Sequence, residues 1–82
     1  MYTQKNLDYI FCWLVGLSNN VADSFHRGVL LGYVGALRDA EVITPEEFWR
    51  VQSVVDKVVM LAIDRGNGLT KKTVKKIFDE TK

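Results

Sequence analysis

The sequence contains only one cysteine, one histidine and one proline, and this scarcity excludes several kinds of site. Cys12 alone cannot form an intrachain disulfide, and Cys12 with His26 supplies too few ligands for a zinc site. A nucleophilic Cys–His pair would also need an oxyanion hole, of which the sequence gives no sign. Phosphate-binding loops, dinucleotide glycine fingerprints and HExxH motifs do not occur. We therefore expect no metal, no cofactor and no catalytic residues, and a protein that is not an enzyme.

Long apolar runs are missing as well. The densest run, residues 9–17, is shorter than the roughly 20 apolar residues that span a bilayer. It also differs from a secretion signal, because Asp8 precedes it directly and Lys5 is the only earlier charge. A lone cysteine fits a reducing compartment. We expect a cytoplasmic protein with no membrane partner.

Neither sign of charge predominates, since the net charge is only +1. This value argues against an acidic nucleic-acid mimic and against a strongly basic packaging protein. The charges are nevertheless unevenly distributed. Residues 65–82 carry six Lys or Arg against two Asp or Glu, whereas residues 1–64 carry five against eight. The C-terminal segment is the only basic region.

The length and the residue pattern predict one helical domain over residues 1–82. With 48% hydrophobic and 26% charged residues, the composition is that of a packed globule rather than a disordered chain. Apolar residues recur at helical spacing throughout. We predict an all-α fold, a compact bundle of three main helices at about 4–18, 21–40 and 45–64 with a short C-terminal helix at about 71–80.

The sharpest helix signal is the start of the third helix. Thr44 at the N-cap and Glu47 three residues later form a capping box, with Pro45 at the favoured first position. Ile43 and Phe48 flank the cap as a hydrophobic staple. Further boundary signals are Thr3 and Thr70 as N-caps, Ser18-Asn19-Asn20 as the end of the first helix, Asn20 or Asp23 as the start of the second, and Gly66 as the end of the third.

The apolar positions assign a face to each helix. Those of the first helix spread over roughly 200° of the wheel, so this helix needs cover on more than one side. Its interior positions are Leu7, Ile10, Phe11, Leu14 and Leu17, and Trp13 and Val15 lie at opposite margins. The predicted inner faces of the other helices are Phe25, Val29, Tyr33, Ala36, Leu37 and Ala40, then Phe48, Val51, Val54, Val55, Val58, Val59, Ala62 and Ile63, then Val74, Ile77 and Phe78.

Three glycines, Gly28, Gly32 and Gly35, fall together beside the predicted inner face of the second helix. A glycine in a helix interior costs up to about 1 kcal/mol relative to alanine, so their alignment needs a reason. Close packing of another helix is the preferred explanation, and it predicts that Gly32→Leu strongly destabilises the fold. A break near Gly32 and a functional glycine face are the alternatives.

Surplus apolar residues favour a non-catalytic protein-binding module, self-association as a homodimer included. Aromatic and methionine side chains at the margins of a small core are where partner contacts concentrate. The candidate partner-binding residues are Trp13, Val15, Trp49 and Met60, with the acidic residues 39–47 or the basic segment steering the encounter.

The alternative hypothesis is a nucleic-acid-binding accessory protein. A helix-turn-helix formed by the second and third helices would bring Glu46 and Glu47 to the phosphates, which would repel them. The fourth helix is the better candidate, with Lys71, Lys72, Lys75 and Lys76 on one side as phosphate-binding residues. Lysines alone read few bases, so such binding would show little sequence preference.

The segment from Ala36 to Phe48, ALRDAEVITPEEF, resembles a helix junction found in small proteins of phages and plasmids. The resemblance covers thirteen residues, and capping chemistry accounts for it. It implies a small phage- or plasmid-type accessory protein, a class that includes inhibitors of host defence that act by occupying a protein surface.

Overall fold

A computed structural model describes all residues, 1–82, and contains helices only. The four helices are α1 (Gln4–Ser18), α2 (Ser24–Asp39), α3 (Pro45–Arg65) and α4 (Lys71–Glu80). The all-helical prediction is confirmed, and α2 begins three residues later than predicted because Asp23 provides its N-cap. None of the four combines the length and the apolar character that crossing a bilayer requires.

The helices are arranged around the pair α1 and α3. These two contact each other, and each also contacts α2 and α4, whereas α2 and α4 do not meet. The α1–α3 pair therefore separates α2 from α4 and contributes most of the core. The buried apolar side chains are Ile10, Phe11, Leu14, Leu17, Leu30, Val34, Ile43, Phe48, Val51, Val54, Val55, Val58, Ala62, Leu69, Val74 and Phe78.

The helix boundaries follow the predicted caps. Thr44 accepts from the Glu47 amide at 3.2 Å, and the Glu47 carboxylate accepts from the Thr44 amide at 3.0 Å. Thr3 forms the same reciprocal pair with Asn6 at the start of α1, and the Thr70 side chain accepts from the Thr73 amide at the start of α4. Gly66 ends α3 with φ of +68°, the left-handed conformation that glycine adopts without penalty. The capping chemistry of the sequence is thus sufficient to place three of the four helix starts.

α2 ends at a residue type that is not a usual helix terminator. Glu41 takes the left-handed conformation, with φ of 60°. The Glu41 amide donates to the Arg38 carbonyl, and the Val42 amide donates to the Leu37 carbonyl at 2.9 Å. This is the Schellman pattern, with glutamate at the position that glycine usually holds. Because this conformation is unfavourable for a residue with a side chain, the backbone is strained at Glu41.

The prediction of the inner face of α2 is only partly right: Tyr33 and Leu37 are half-buried and pack against the core, but the fully buried residues are others. Leu30 and Val34 are its buried residues, although both were expected outside the main face. Phe25, Ala36 and Ala40 are exposed. The inner face of α3 is as predicted except for Ile63, which is 60% exposed. The error in α2 arises because apolar residues occupy several sides of this helix, so periodicity alone does not select the buried one.

The glycine prediction is also wrong for α2. A Cβ atom added at Gly28 or Gly32 would meet no atom within 4 Å, and one at Gly35 would lie at ordinary contact distance from Phe48. Neither close packing within the chain nor a break explains them, since α2 is continuous. Among the helical glycines the close approach occurs at Gly16, where an added Cβ would lie 2.9 Å from His26 Cδ2. Gly16 therefore sets the distance between α1 and α2.

Candidate protein-binding surface

Four aromatic side chains form a connected row across α1 and α2, here called the aromatic ridge: Tyr9, Trp13, Phe25 and Tyr33. The ring centroids of Tyr33 and Tyr9 lie 4.5 Å apart, those of Tyr9 and Trp13 6.1 Å, and those of Trp13 and Phe25 6.1 Å. These distances fall in the range of favourable aromatic pairs. Phe25 is 61% exposed and Tyr9 42% exposed. Trp13 and Tyr33 are half-buried and pack against the core, so the ridge is partly fixed by its own contacts and open to solvent at Tyr9 and Phe25.

Local structure holds the ridge in place. Tyr9 and Trp13 are four residues apart and so share one side of α1. On α2, the Asp23 side chain accepts from the Phe25 amide at 2.7 Å, which fixes the helix start beneath the Phe25 ring. Tyr33 is held by the Asn6 side-chain amide, which donates to its hydroxyl at 2.8 Å. The rings are thus anchored at both ends.

His26 fills the gap between the two helices below the ridge. Its ring centroid lies 5.3 Å from that of Trp13 and 5.6 Å from that of Phe25. Its Nδ1 lies 3.5 Å from a carboxylate oxygen of Asp23. Because Gly16 has no side chain, the imidazole can lie directly on the backbone of α1. His26 is thus a packing residue that supports Trp13 and Phe25.

A strip of small residues lies next to the ridge on the outer side of α2. It is here called the glycine face and consists of Gly28, Gly32 and Ala36. The three residues are spaced by four along the helix and all are exposed. Arg27 is the only Lys, Arg, Asp or Glu between Asp23 and Arg38, and it turns to α3, where it pairs with Asp56 at 2.9 Å. The glycine face therefore presents bare backbone without charge.

A second set of exposed apolar residues lies on α3. Trp49 is 59% exposed and Met60 is 67% exposed, and Ile63 lies one turn beyond Met60. Trp49 contacts Phe48, with ring centroids 5.6 Å apart, and no ring contact links it to the aromatic ridge. Eleven residues, about three helical turns, separate Trp49 from Met60. These side chains are therefore scattered along one helix rather than joined into a row.

The structure separates the four residues predicted to bind a partner. Trp13 lies in the aromatic ridge, while Trp49 and Met60 lie on α3. Val15 follows Trp13 by about 200° around the helix and so lies on the side where Phe11 contacts α4. It is half-buried and packs against the core. Phe25 was wrongly assigned to the core, since it is 61% exposed, whereas Tyr33 is half-buried and packs against the core as well as against Tyr9.

The four predicted phosphate-binding lysines are all exposed on α4. Lys71, Lys72, Lys75 and Lys76 have no carboxylate within ion-pair distance. The apolar side of the same helix, Val74 and Phe78, is buried in the core. The structure therefore places the lysines together on the outer side of the molecule, away from α2.

Met1 and Tyr2 form a polar cluster with Glu47 of α3. The N-terminal ammonium lies 3.2 Å from the Glu47 carboxylate, and the Tyr2 hydroxyl donates to the Glu47 carbonyl at 2.9 Å. Burial, with the Glu47 carboxylate as a second cause, raises the pKa of Tyr2 well above its usual range. The hydrogen bond from the Thr44 amide lowers the pKa of Glu47. Tyr2 thus stays a proton donor and Glu47 stays charged.

The remaining polar groups form no recognisable reaction centre. Cys12 is exposed on α1, and no hydrogen bond joins it to His26. No three His, Cys, Asp or Glu residues are grouped so that they could hold a metal ion. The largest surface depression, about 370 Å³, lies at the end of the molecule between Ser18 and Gly68. None of the three depressions is lined by the aromatic ridge.

Comparison with protein-family models, with characterised protein sequences and with solved structures finds no match to this chain.

Proposed function

We propose that the chain is a non-catalytic protein-binding module and that it binds its partner through the aromatic ridge and the adjoining glycine face. The observation that carries the proposal is the connected row of Tyr9, Trp13, Phe25 and Tyr33, in which Tyr9 and Phe25 are exposed and the other two rings are half-buried. Tyr and Trp dominate the binding energy of protein interfaces, and their rigid rings lose little conformational entropy on binding. A fixed row of such rings is suited to a protein partner.

The glycine face supports this choice of surface. Gly28 and Gly32 each lower helix stability by up to about 1 kcal/mol relative to alanine, and no atom of the chain packs against either position. A partner that lies directly on the α2 backbone would account for both glycines. The absence of charge along the strip fits the centre of an interface, where charged residues are depleted.

A protein partner is favoured over a small ligand because the ridge lines no depression of the surface. Small-molecule sites are concave and enclose most of their ligand. The α3 residues Trp49 and Met60 are separated by about three turns, so they form at most the rim of such an interface.

The partner class includes a second copy of the chain, which would make the module a homodimer, and a surface of another protein. The second case covers the inhibitor of host defence suggested by the junction around Thr44. In both cases the chain acts by occupying a surface, and a cytoplasmic setting suits its single exposed cysteine.

The test compares two exposed apolar side chains, one on the ridge and one on α3. Tagged wild-type chain, Phe25→Ser and Met60→Ser are used to capture proteins from an extract of the source cells, and each is also sedimented over a range of concentrations. Because both side chains are more than half exposed, neither change should prevent folding, which circular dichroism checks.

We expect Phe25→Ser to lose the captured protein, or the wild-type self-association, by at least tenfold, while Met60→Ser keeps it. Loss of about 1.4 kcal/mol at one aromatic contact gives this factor. Equal binding by wild type and Phe25→Ser would contradict the proposal. A wild-type chain that stays monomeric and captures nothing would contradict it as well.

A further inference from the structure

We infer that the outer side of α4, here called the lysine face and formed by Lys71, Lys72, Lys75 and Lys76, binds the phosphate backbone of nucleic acid. This inference is independent of the aromatic ridge, which lies on α1 and α2. Four cationic side chains within six residues form the most concentrated charge on the molecule. All four are exposed and none is paired with a carboxylate. Their charge is therefore free to act on an external anion.

The order of charges along α4 is the reverse of the order that stabilises a helix. Lys71 and Lys72 occupy the first turn, at the positive end of the helix dipole, and Asp79 and Glu80 occupy the last turn, at the negative end. Each misplaced charge is unfavourable at the end where it lies. The fold does not offset this arrangement with ion pairs, so helix stability does not explain the clustering of lysines at this end. Attraction of an external anion explains why the lysines are clustered there.

The charges at the other end of α4 are mixed in sign. Beside the C-terminal end of this helix, one depression is lined by three carboxylates and two cations: Glu46, Glu47, Asp79, Arg50 and Lys82. The lysine face begins at the opposite end, after the turn that follows Arg65. The unpaired positive charge is thus concentrated on the first two turns of α4, where it attracts phosphates.

The chemistry of the lysine face favours phosphates over a protein or a membrane. Lysine is depleted at protein interfaces, where arginine and aromatic residues are enriched, and the one aromatic residue of α4, Phe78, is buried. Insertion into a membrane needs an exposed apolar side, but Val74 and Phe78 are buried. Point charges on flexible stems suit the regularly spaced phosphates of nucleic acid and read little of its sequence.

The test measures binding of the full chain to two fluorescein-labelled DNA duplexes of unrelated sequence by fluorescence anisotropy. We expect both duplexes to bind alike. With four phosphate contacts, affinity should fall about 100-fold between 50 and 200 mM salt. The double variant Lys72→Gln with Lys76→Gln should show a fall of about tenfold over the same range, because two contacts remain. Glutamine keeps a helix propensity close to that of lysine, so α4 should persist.

The matched control removes the same total charge elsewhere, with Lys5→Gln on α1 and Lys82→Gln after the end of α4, both at exposed positions. We expect this control to retain the wild-type salt dependence. Equal weakening by both double variants would overturn the inference, because net charge alone would then govern binding. Failure of the wild type to bind either duplex at 50 mM salt would also overturn it. So would tighter binding to phosphatidylserine vesicles or to poly-glutamate than to the duplexes.

Discussion

Arg50 on α3 holds the last turn of α4 by two kinds of contact with one residue, Phe78. The guanidinium carbon lies 3.9 Å from the centre of the Phe78 ring, and Nη2 donates to the Phe78 carbonyl oxygen at 2.9 Å. Nε donates to the Thr81 carbonyl oxygen at 2.7 Å. Arg50 thereby supplies donors to carbonyls that a helix end leaves without partners. One side chain thus provides both packing and the C-terminal cap for α4.

Replacing Arg50 should destabilise the chain substantially. Arg50→Ala removes two charge-assisted hydrogen bonds and a cation–π contact, for an expected loss of about 2–3 kcal/mol in the free energy of unfolding. Arg50→Lys keeps the charge but not the two-pronged geometry, so it should recover less than half of the loss. Urea unfolding measures both values. A loss below about 0.5 kcal/mol for Arg50→Ala would show that α4 is held by its apolar side alone.

Glu41→Gly should stabilise the chain. Glu41 has φ of 60°, a conformation that costs a non-glycine residue roughly 1–2 kcal/mol, and its side chain is exposed. Part of the gain is lost to the greater freedom of glycine in the unfolded state, which leaves a net gain of about 0.5–1 kcal/mol. Thermal unfolding detects this gain as a rise in Tm. Glu41→Ala is the control, since it removes the charge without relieving the strain.

Two glycine-to-alanine changes should move stability in opposite directions. Gly32→Ala adds a methyl group in open space and improves helix propensity, which predicts a gain of up to about 1 kcal/mol. Gly16→Ala places its methyl group against the His26 ring, which predicts a loss of about 1–3 kcal/mol from overpacking. Chemical denaturation of both variants compares them directly. A loss of stability in Gly32→Ala would mean that α2 packs more closely than the structure shows.

Acid should remove a stabilising contribution from Glu47. The hydrogen bond from the Thr44 amide, and to a smaller extent the N-terminal ammonium, lower the pKa of this carboxylate below its ordinary value of 4.5. Because the folded pKa is the lower one, the contribution is present above pH 4.5 and is lost as the pH falls through the folded pKa. Glu47→Gln keeps an acceptor for the Thr44 amide but does not titrate. The stability difference between wild type and Glu47→Gln should therefore shrink in acid, and a pH-independent difference would contradict this assignment.

The helix starts were predictable because their causes are local. Thr44, Pro45 and Glu47 act within one turn of chain, and the bounds of α3 and α4 agree with the predictions to within one residue. The inner face of α3 was predictable except for Ile63, since Arg50, Ser53 and Lys57 mark the opposite side. Sequence patterns suffice where the polar residues mark the outside.

The face of α2 was not predictable because its outside is not polar. Phe25, Gly28 and Gly32 occupy the solvent side, while Leu30 and Val34 are buried. Two apolar sides of one helix cannot be ranked by periodicity, and only the packing on α1 and α3 decides between them. The candidate site lies on the side that was wrongly assigned to the core. In a sequence, an exposed apolar face of a helix has the same residue pattern as a buried one.

The measurement that tests the proposed binding surface most directly is partner capture, or self-association, by Gly32→Leu. Leucine at this position points into open space and is a better helix former than glycine, so Tm should hold or rise. Its side chain would nevertheless keep a partner away from the α2 backbone. Ser53→Leu, which adds similar bulk to the exposed side of α3, is the control. We predict that Gly32→Leu loses binding by at least tenfold while Ser53→Leu retains it; full binding by a folded Gly32→Leu chain would contradict the proposed role of the glycine face.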